Sequence, residues 1–148
     1  ILLAALLRCC GFLHDTPSFL KVVSPKLATR RHFESFHTSD YLDLLEYPMI
    51  NRNNDQASSP SDDNPQQRQH PIELLNKYNL VDDCCLPSTP ASLRALWTYC
   101  QSIVGASIHA AQLLSKNQSQ VAINWGGGRH HAKSNQAGGF CYVNDCVL

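Results

Sequence analysis

The sequence predicts an α/β sheet protein on three observations: a long amphipathic helix, a short apolar run soon after it, and a glycine cluster that closes the run. Helix, turn, strand and glycine loop in that order are the units of a sheet covered by helices. The 148 residues have the length of one ordinary domain, and 43% apolar residues are enough to build a core. Twelve basic residues balance twelve acidic ones. With no surplus positive charge to release counterions from a phosphate backbone, direct nucleic-acid binding is disfavoured.

Ile1 to Leu7 is a short apolar run. Arg8 interrupts it and no basic segment precedes it, which argues against a signal peptide or a membrane span. A helix over residues 1 to 13, ending near Gly11, is expected instead. The chain opens on Ile1 and its single methionine is Met49, so the start is read as processed or as lying outside this sequence. A second helix is expected from Thr38 or Ser39, either of which can cap, with Tyr41, Leu42, Leu44 and Leu45 on or near one face. From Asn51 to Pro71 the only aliphatic residue is Ala57. Residues 51–71 therefore read as a flexible polar insertion, too poor in apolar surface to offset its ordering entropy.

Thr89-Pro90 pairs a capping residue with proline at the first helical position. Leu93, Leu96, Trp97, Cys100, Ile103, Val104, Ile108, Ala111 and Leu114 follow at three- and four-residue steps, one apolar stripe running to about Ser115. Asn117 suits the stop. Val121-Ala122-Ile123-Asn124-Trp125 reads as a buried strand that ends in a functional loop. Phe140 to Leu148 turns apolar again and stops in mid-element, which reads as truncation.

The seven cysteines include the adjacent pairs Cys9-Cys10 and Cys84-Cys85, with Cys100, Cys141 and Cys146 scattered and no C-x-x-C. They read as reduced, intracellular thiols. The seven histidines do not fall near them in zinc-knuckle spacing.

Chemistry concentrates at Asn124-Trp125-Gly126-Gly127-Gly128-Arg129-His130-His131. Glycines let the chain bend sharply enough to present two neighbouring imidazoles to one pocket instead of to opposite faces of a strand. Two such rings can divide proton transfer, one accepting and the other supplying charge or a proton. An adjacent pair alone is weak evidence. Gly127 to Ser134 also comes within one substitution of a P-loop, but Ala132 stands where the second glycine belongs and no helix pattern follows Lys133.

Residues 121 to 148, VAINWGGGRHHAKSNQAGGFCYVNDCVL, resemble the tandem-histidine segment of class I histone deacetylases. Ser24-Pro25-Lys26, Phe36-His37-Thr38 with Tyr41-Leu42, and Tyr78 to Cys84 are similar too, with details that lean towards the histone deacetylase 8 branch. The resemblance covers nearly the whole chain outside the insertion and a few residues near Leu86 to Pro90. It implies a three-layer α/β/α fold with a mainly parallel sheet, of the arginase-deacetylase type and incomplete here. Residues 1–148 would then be an N-terminal portion of the domain, truncated at both ends. It also implies zinc-dependent hydrolysis of N-acetyl-lysine in histones and other proteins, in the service of chromatin regulation and transcriptional repression. Acetylated tails and corepressor proteins would be the partners, with no membrane, in the nucleus and secondarily the cytoplasm.

By the same resemblance His131 would be the general base and acid, and His130 its charge-supplying neighbour. Phe140 would wall the tunnel for the acetyl-lysine stem, Gly139 would border it, and Asp83 would accept hydrogen bonds from substrate backbone at the rim. Without the resemblance Asp83 is an ordinary turn carboxylate. The family's metal ligands, two aspartates and a histidine, come on later strands and match no motif here, so the chain alone is expected to be inactive. Two positions depart from the pattern. Arg129 stands where relatives carry an apolar or aromatic residue and calls for a carboxylate partner if buried, and Gly138 replaces a serine. Cys84 and Cys141 flank site residues and read first as free core thiols, with an oxidant-sensing pair that meets near the tunnel mouth as the alternative. Two other readings stand beside this one: a non-catalytic short product that binds deacetylase partners or acetylated tails, and the P-loop nucleotide hydrolase.

Overall fold

Packing begins at a single helical turn, α1 (Arg30–Phe33), whose last residue is wholly buried against the Trp97 ring, centroids 4.8 Å apart. Arg30, at the other end of the turn, reaches Glu34 at 2.9 Å, Asp43 at 2.7 Å and Glu46 at 2.5 Å. The hydrogen bond to Glu46, then those to Glu34 and Asp43, raise the guanidinium pKa above its ordinary value. Three carboxylates on one fork fix the angle between α1 and the helix that follows, at a modest stability gain because the group is part-exposed. The computed structural model describes residues 21–50, 73–82, 84 and 90–148.

The second helix, α2 (Ser39–Ile50), starts where the capping residues place it. Thr38 C=O accepts the first intrahelical bond, from Leu42 N–H at 3.1 Å. Tyr41, Leu42 and Leu45 are buried on one face, as their spacing requires, and pack on the long helix α3 (Pro90–Ser115). Between these two helices in sequence, residues 73–77 are helical. That stretch closes on Asn79 at φ 61°, with Asn79 N–H on Asn76 C=O and Leu80 N–H on Leu75 C=O, both at 2.9 Å. This is a Schellman stop with asparagine in the left-handed position.

α3 ends in the same way at Asn117, the residue expected to stop it. Asn117 N–H donates to Leu114 C=O at 3.0 Å and Gln118 N–H to Leu113 C=O at 2.9 Å. Its stripe supplies Leu96, Trp97, Cys100 and Val104 to the core shared with Phe33, Tyr41, Leu42, Leu75, Leu80 and Val143, and Ile103 is buried as well. Burial of Cys100 pushes its thiol pKa far up, so it serves as a small apolar filler.

Two expectations are corrected. The stripe on α3 loses its cover beyond Ile108: Ala111 and Leu114 are exposed. Val121 to Trp125 forms no strand, and Val121, Ile123 and Trp125 are 71%, 60% and 59% exposed. Ala122 and Asn124 are half-buried, so the expected burial of the run is not reached at any of its five positions. A strand exists only when a neighbour takes its backbone hydrogen bonds, and among the described residues none lies beside this run. Pairing from 119 onward is limited to the single bridges Lys133–Gln136 and Gly138–Cys141. The helix expected over residues 1 to 13, the insertion 51–71, Asp83 and Thr89 lie outside the described residues.

Candidate active site

The glycine cluster is tied to α3 through Asn124. Its Nδ2 donates to Ile103 C=O at 3.1 Å and to Ser107 Oγ at 3.0 Å, while its Oδ1 accepts Gly126 N–H at 3.1 Å. Gly127 is required by contact. A Cβ there would stand 2.6 Å from Asp145 Oδ2 and 2.8 Å from Asn124 Nδ2. The loop can therefore lie on the Asp145 carboxylate only because position 127 has no side chain.

Past the loop the two histidines stand side by side and exposed, ring centroids 4.1 Å apart and planes inclined by 38°. His130 Nδ1 lies 3.0 Å from Gly128 C=O, which also accepts the His130 amide. Gly139 touches the second imidazole: a Cβ on it would come within 2.7 Å of His131 Cγ, and its φ is +50°. The next residue, Phe140, also has positive φ, 63°, and the bonds between Gly138 and Cys141 close a two-residue turn around the pair. Positive φ at both central positions is the type I′ pattern, unusual for a bulky residue. It leaves the Phe140 ring 65% exposed beside the histidines.

Three of the residues expected to share a site, His131, His130 and Gly139, are thus brought together, and Phe140 projects from the same turn. Asp83 lies outside the described residues. Its neighbour Cys84 places Sγ 3.9 Å from Cys141 C=O and accepts Tyr142 Oη–H on its own carbonyl at 3.4 Å. The chain next to Asp83 therefore meets the Gly139–Phe140 turn, and Cys84 and Cys141 are buried free thiols, the preferred reading, with the Cys84 thiol near the Cys141 carbonyl.

Arg129 has no carboxylate salt bridge among the described residues. Its Nε donates to Gly126 C=O at 3.2 Å and its guanidinium lies 6.0 Å over the Tyr99 ring, half-buried. Aromatic contact and a carbonyl take the place of the counterion, and the stem covers apolar surface. After Ser134 come turns and bridges and no helix, so the helix N-terminus that a P-loop requires is not formed.

Sequence reasoning passed over the residues that hold the site from behind. His37 and Asn144 are buried at 3% and 6% exposure, and Asp145 is buried with them. The available signal was the polar pair Asn144-Asp145 inside the apolar run Phe140 to Leu148, since buried polar groups are kept where they have partners.

A metal centre does not assemble here. Among the described residues no three His, Cys, Asp or Glu side chains converge on one point, and Asp145, the carboxylate behind the pair, is occupied by backbone amides. The described residues therefore do not fit the zinc that the resemblance implies.

The histone deacetylase domain matches residues 2–148, so the chain belongs to the histone deacetylase family, whose fold is the α/β arginase-deacetylase type. Curated relatives include "Histone deacetylase 2" of Oryza sativa subsp. japonica, 37% identical over 97% of this chain. "Putative histone deacetylase 2" of Caenorhabditis elegans is 35% identical over 91%, and "Histone deacetylase clr6" of Schizosaccharomyces pombe is 36% identical over 87%. The matches cover 24%, 23% and 27% of those proteins, so the chain spans about a quarter of their length.

Proposed function

We propose that this chain is part of a protein that hydrolyses N-acetyl-lysine in histones and other proteins, and that these 148 residues alone are inactive because the metal ligands match no motif in them. The observation that carries this reading is the exposed imidazole pair, 4.1 Å between centroids, on a glycine-shaped loop with Gly139 against the His131 ring. In the reaction a ring nitrogen of His131 takes the proton of an attacking water as its oxygen bonds to the acetyl carbon. When the carbon–nitrogen bond breaks, the same nitrogen returns a proton to the departing lysine amine. His130, in ring contact with His131, supplies the compensating charge. The Phe140 ring offers an apolar wall for the four methylenes of the lysine stem. The reading includes the family's zinc, which would polarise the carbonyl and whose ligands match no motif in this chain. Acetylated histone tails and corepressor proteins are the partners that follow, and the nucleus, with the cytoplasm second, is the location.

The test is acetate release from an acetylated histone-tail peptide by the purified full-length protein. His131→Ala lowers kcat by about 10²- to 10⁴-fold, the usual weight of one general acid–base group. Wild-type protein that releases no acetate, or a His131→Ala variant that keeps full rate, overturns the assignment.

A further inference from the structure

We infer that Asn144 and Asp145 form a positioning pair that sets the directions of His130 and His131, with His37 as the key that holds the pair in place. Asp145 grips the chain entering the dipeptide. Its Oδ1 accepts Arg129 N–H at 2.6 Å and its Oδ2 accepts Gly128 N–H at 3.1 Å and the Ser107 hydroxyl at 2.5 Å. Asn144 grips the chain leaving it. Its Nδ2 donates to His130 C=O at 3.2 Å and to Ala132 C=O at 3.0 Å. Four consecutive residues, 129 to 132, therefore have a fixed backbone bond at each shoulder and at the centre, and the two imidazoles are the side chains between.

His37 locks Asn144 in turn. Its Nε2 accepts Asn144 N–H at 3.1 Å and its Nδ1 faces Ser134 C=O at 3.2 Å, so the ring is the neutral Nδ1–H tautomer bridging both flanks of the histidine segment. The carboxylate accepts charge-assisted bonds from amides, the strong kind, from a buried position. These hydrogen bonds of the three residues go to backbone groups, to Ser107 and to one another and none to the two imidazole rings, so they act through the chain that carries the histidines. The amides and carbonyls could have been met by water in an exposed loop; a buried Asn-Asp-His set gives them one geometry instead.

This rests on the deacetylase reading, and the experiment separates the two. In the full-length protein, Asp145→Asn and Asp145→Ala are compared by acetate release and by the imidazole ε1 signals of His130 and His131 in NMR. The expected result is a folded variant in which both signals move, kcat falls towards about 10²-fold for alanine and less for the isosteric asparagine, and KM stays within about twofold. A purely structural role would lower the melting temperature and leave folded molecules with unmoved imidazoles and normal kcat, and that result overturns the inference. Ser107→Ala, which removes one donor to Asp145 and leaves the others, carries the test if the Asp145 variants do not fold, with a smaller change in the same direction. If wild-type protein hydrolyses no acetyl-lysine yet the imidazole signals still move in Asp145→Asn, the positioning pair stands and the deacetylase reading falls.

Discussion

Acidification should destabilise the fold through His37, and His37→Gln should remove that part of the effect. The ring is buried at 3% exposure, packed on Phe36 at 4.9 Å and Tyr41 at 5.7 Å between centroids. Burial lowers its pKa from the ordinary 6.5, against smaller raising contributions from the Ser134 and Lys133 backbone. Above 6.5 the imidazole is neutral in both folded and unfolded chains, and its stabilisation is fully present. As pH falls below that value the unfolded chain takes up a proton that the folded chain refuses. Stability then drops by up to about 1.4 kcal/mol per pH unit until the depressed folded pKa is reached. The structural cause is specific, because a protonated ring would turn a second N–H towards Asn144 N–H in place of the acceptor that bond requires. Glutamine carries one donor and one acceptor without titrating, so it can approximate both bonds. The assay is urea unfolding of wild type and His37→Gln from about pH 7.5 down to about pH 5.5. The difference between the two slopes isolates His37 from the other histidines. Identical slopes would show that the ring is not held neutral and would refute the reasoning.

Gly139→Ala adds a left-handed residue at about 1–2 kcal/mol and drives a methyl into the His131 ring, 2.7 Å from Cγ, so acetate release should fall by about 10²-fold in folded protein. An alanine variant with full kcat would mean the ring and the turn move independently. Tyr41→Phe removes the 2.6 Å bond from its hydroxyl to Tyr142 C=O and should lower the unfolding free energy by about 1–1.5 kcal/mol at an unchanged denaturant slope; a loss under about 0.3 kcal/mol contradicts this. Among the described cysteines, Cys146 is exposed while Cys84, Cys100 and Cys141 are buried, so alkylation mapped by mass spectrometry should mark Cys146 first. Its labelling should be slower than that of a free thiol, because partial desolvation and the neighbouring Asp145 raise its pKa. Prior labelling of Cys84 or Cys141 in folded protein would contradict their burial.

Much of the local order was legible in the residues. The face of α2 with Tyr41, Leu42 and Leu45, the α3 stripe from Leu96 to Val104, and the Asn117 stop follow from helix periodicity and from the tolerance of asparagine for the left-handed region. The strand at Val121 to Trp125 was half legible. Its apolar run is written in the sequence and reads as buried, but the cover and the pairing need a second stretch of chain that no local pattern can supply.

For the site, the sequence by itself determined that two imidazoles stand together beyond a flexible bend, because adjacency is covalent and glycine conformations are intrinsic. The tertiary structure alone decided what holds them: Asp145 on the amides of Gly128 and Arg129, and His37 on Asn144 across 107 residues of chain. Hydrogen bonds between such distant groups leave no periodic trace. They form only after burial has removed water as the competing partner, and burial is a property of the packed chain.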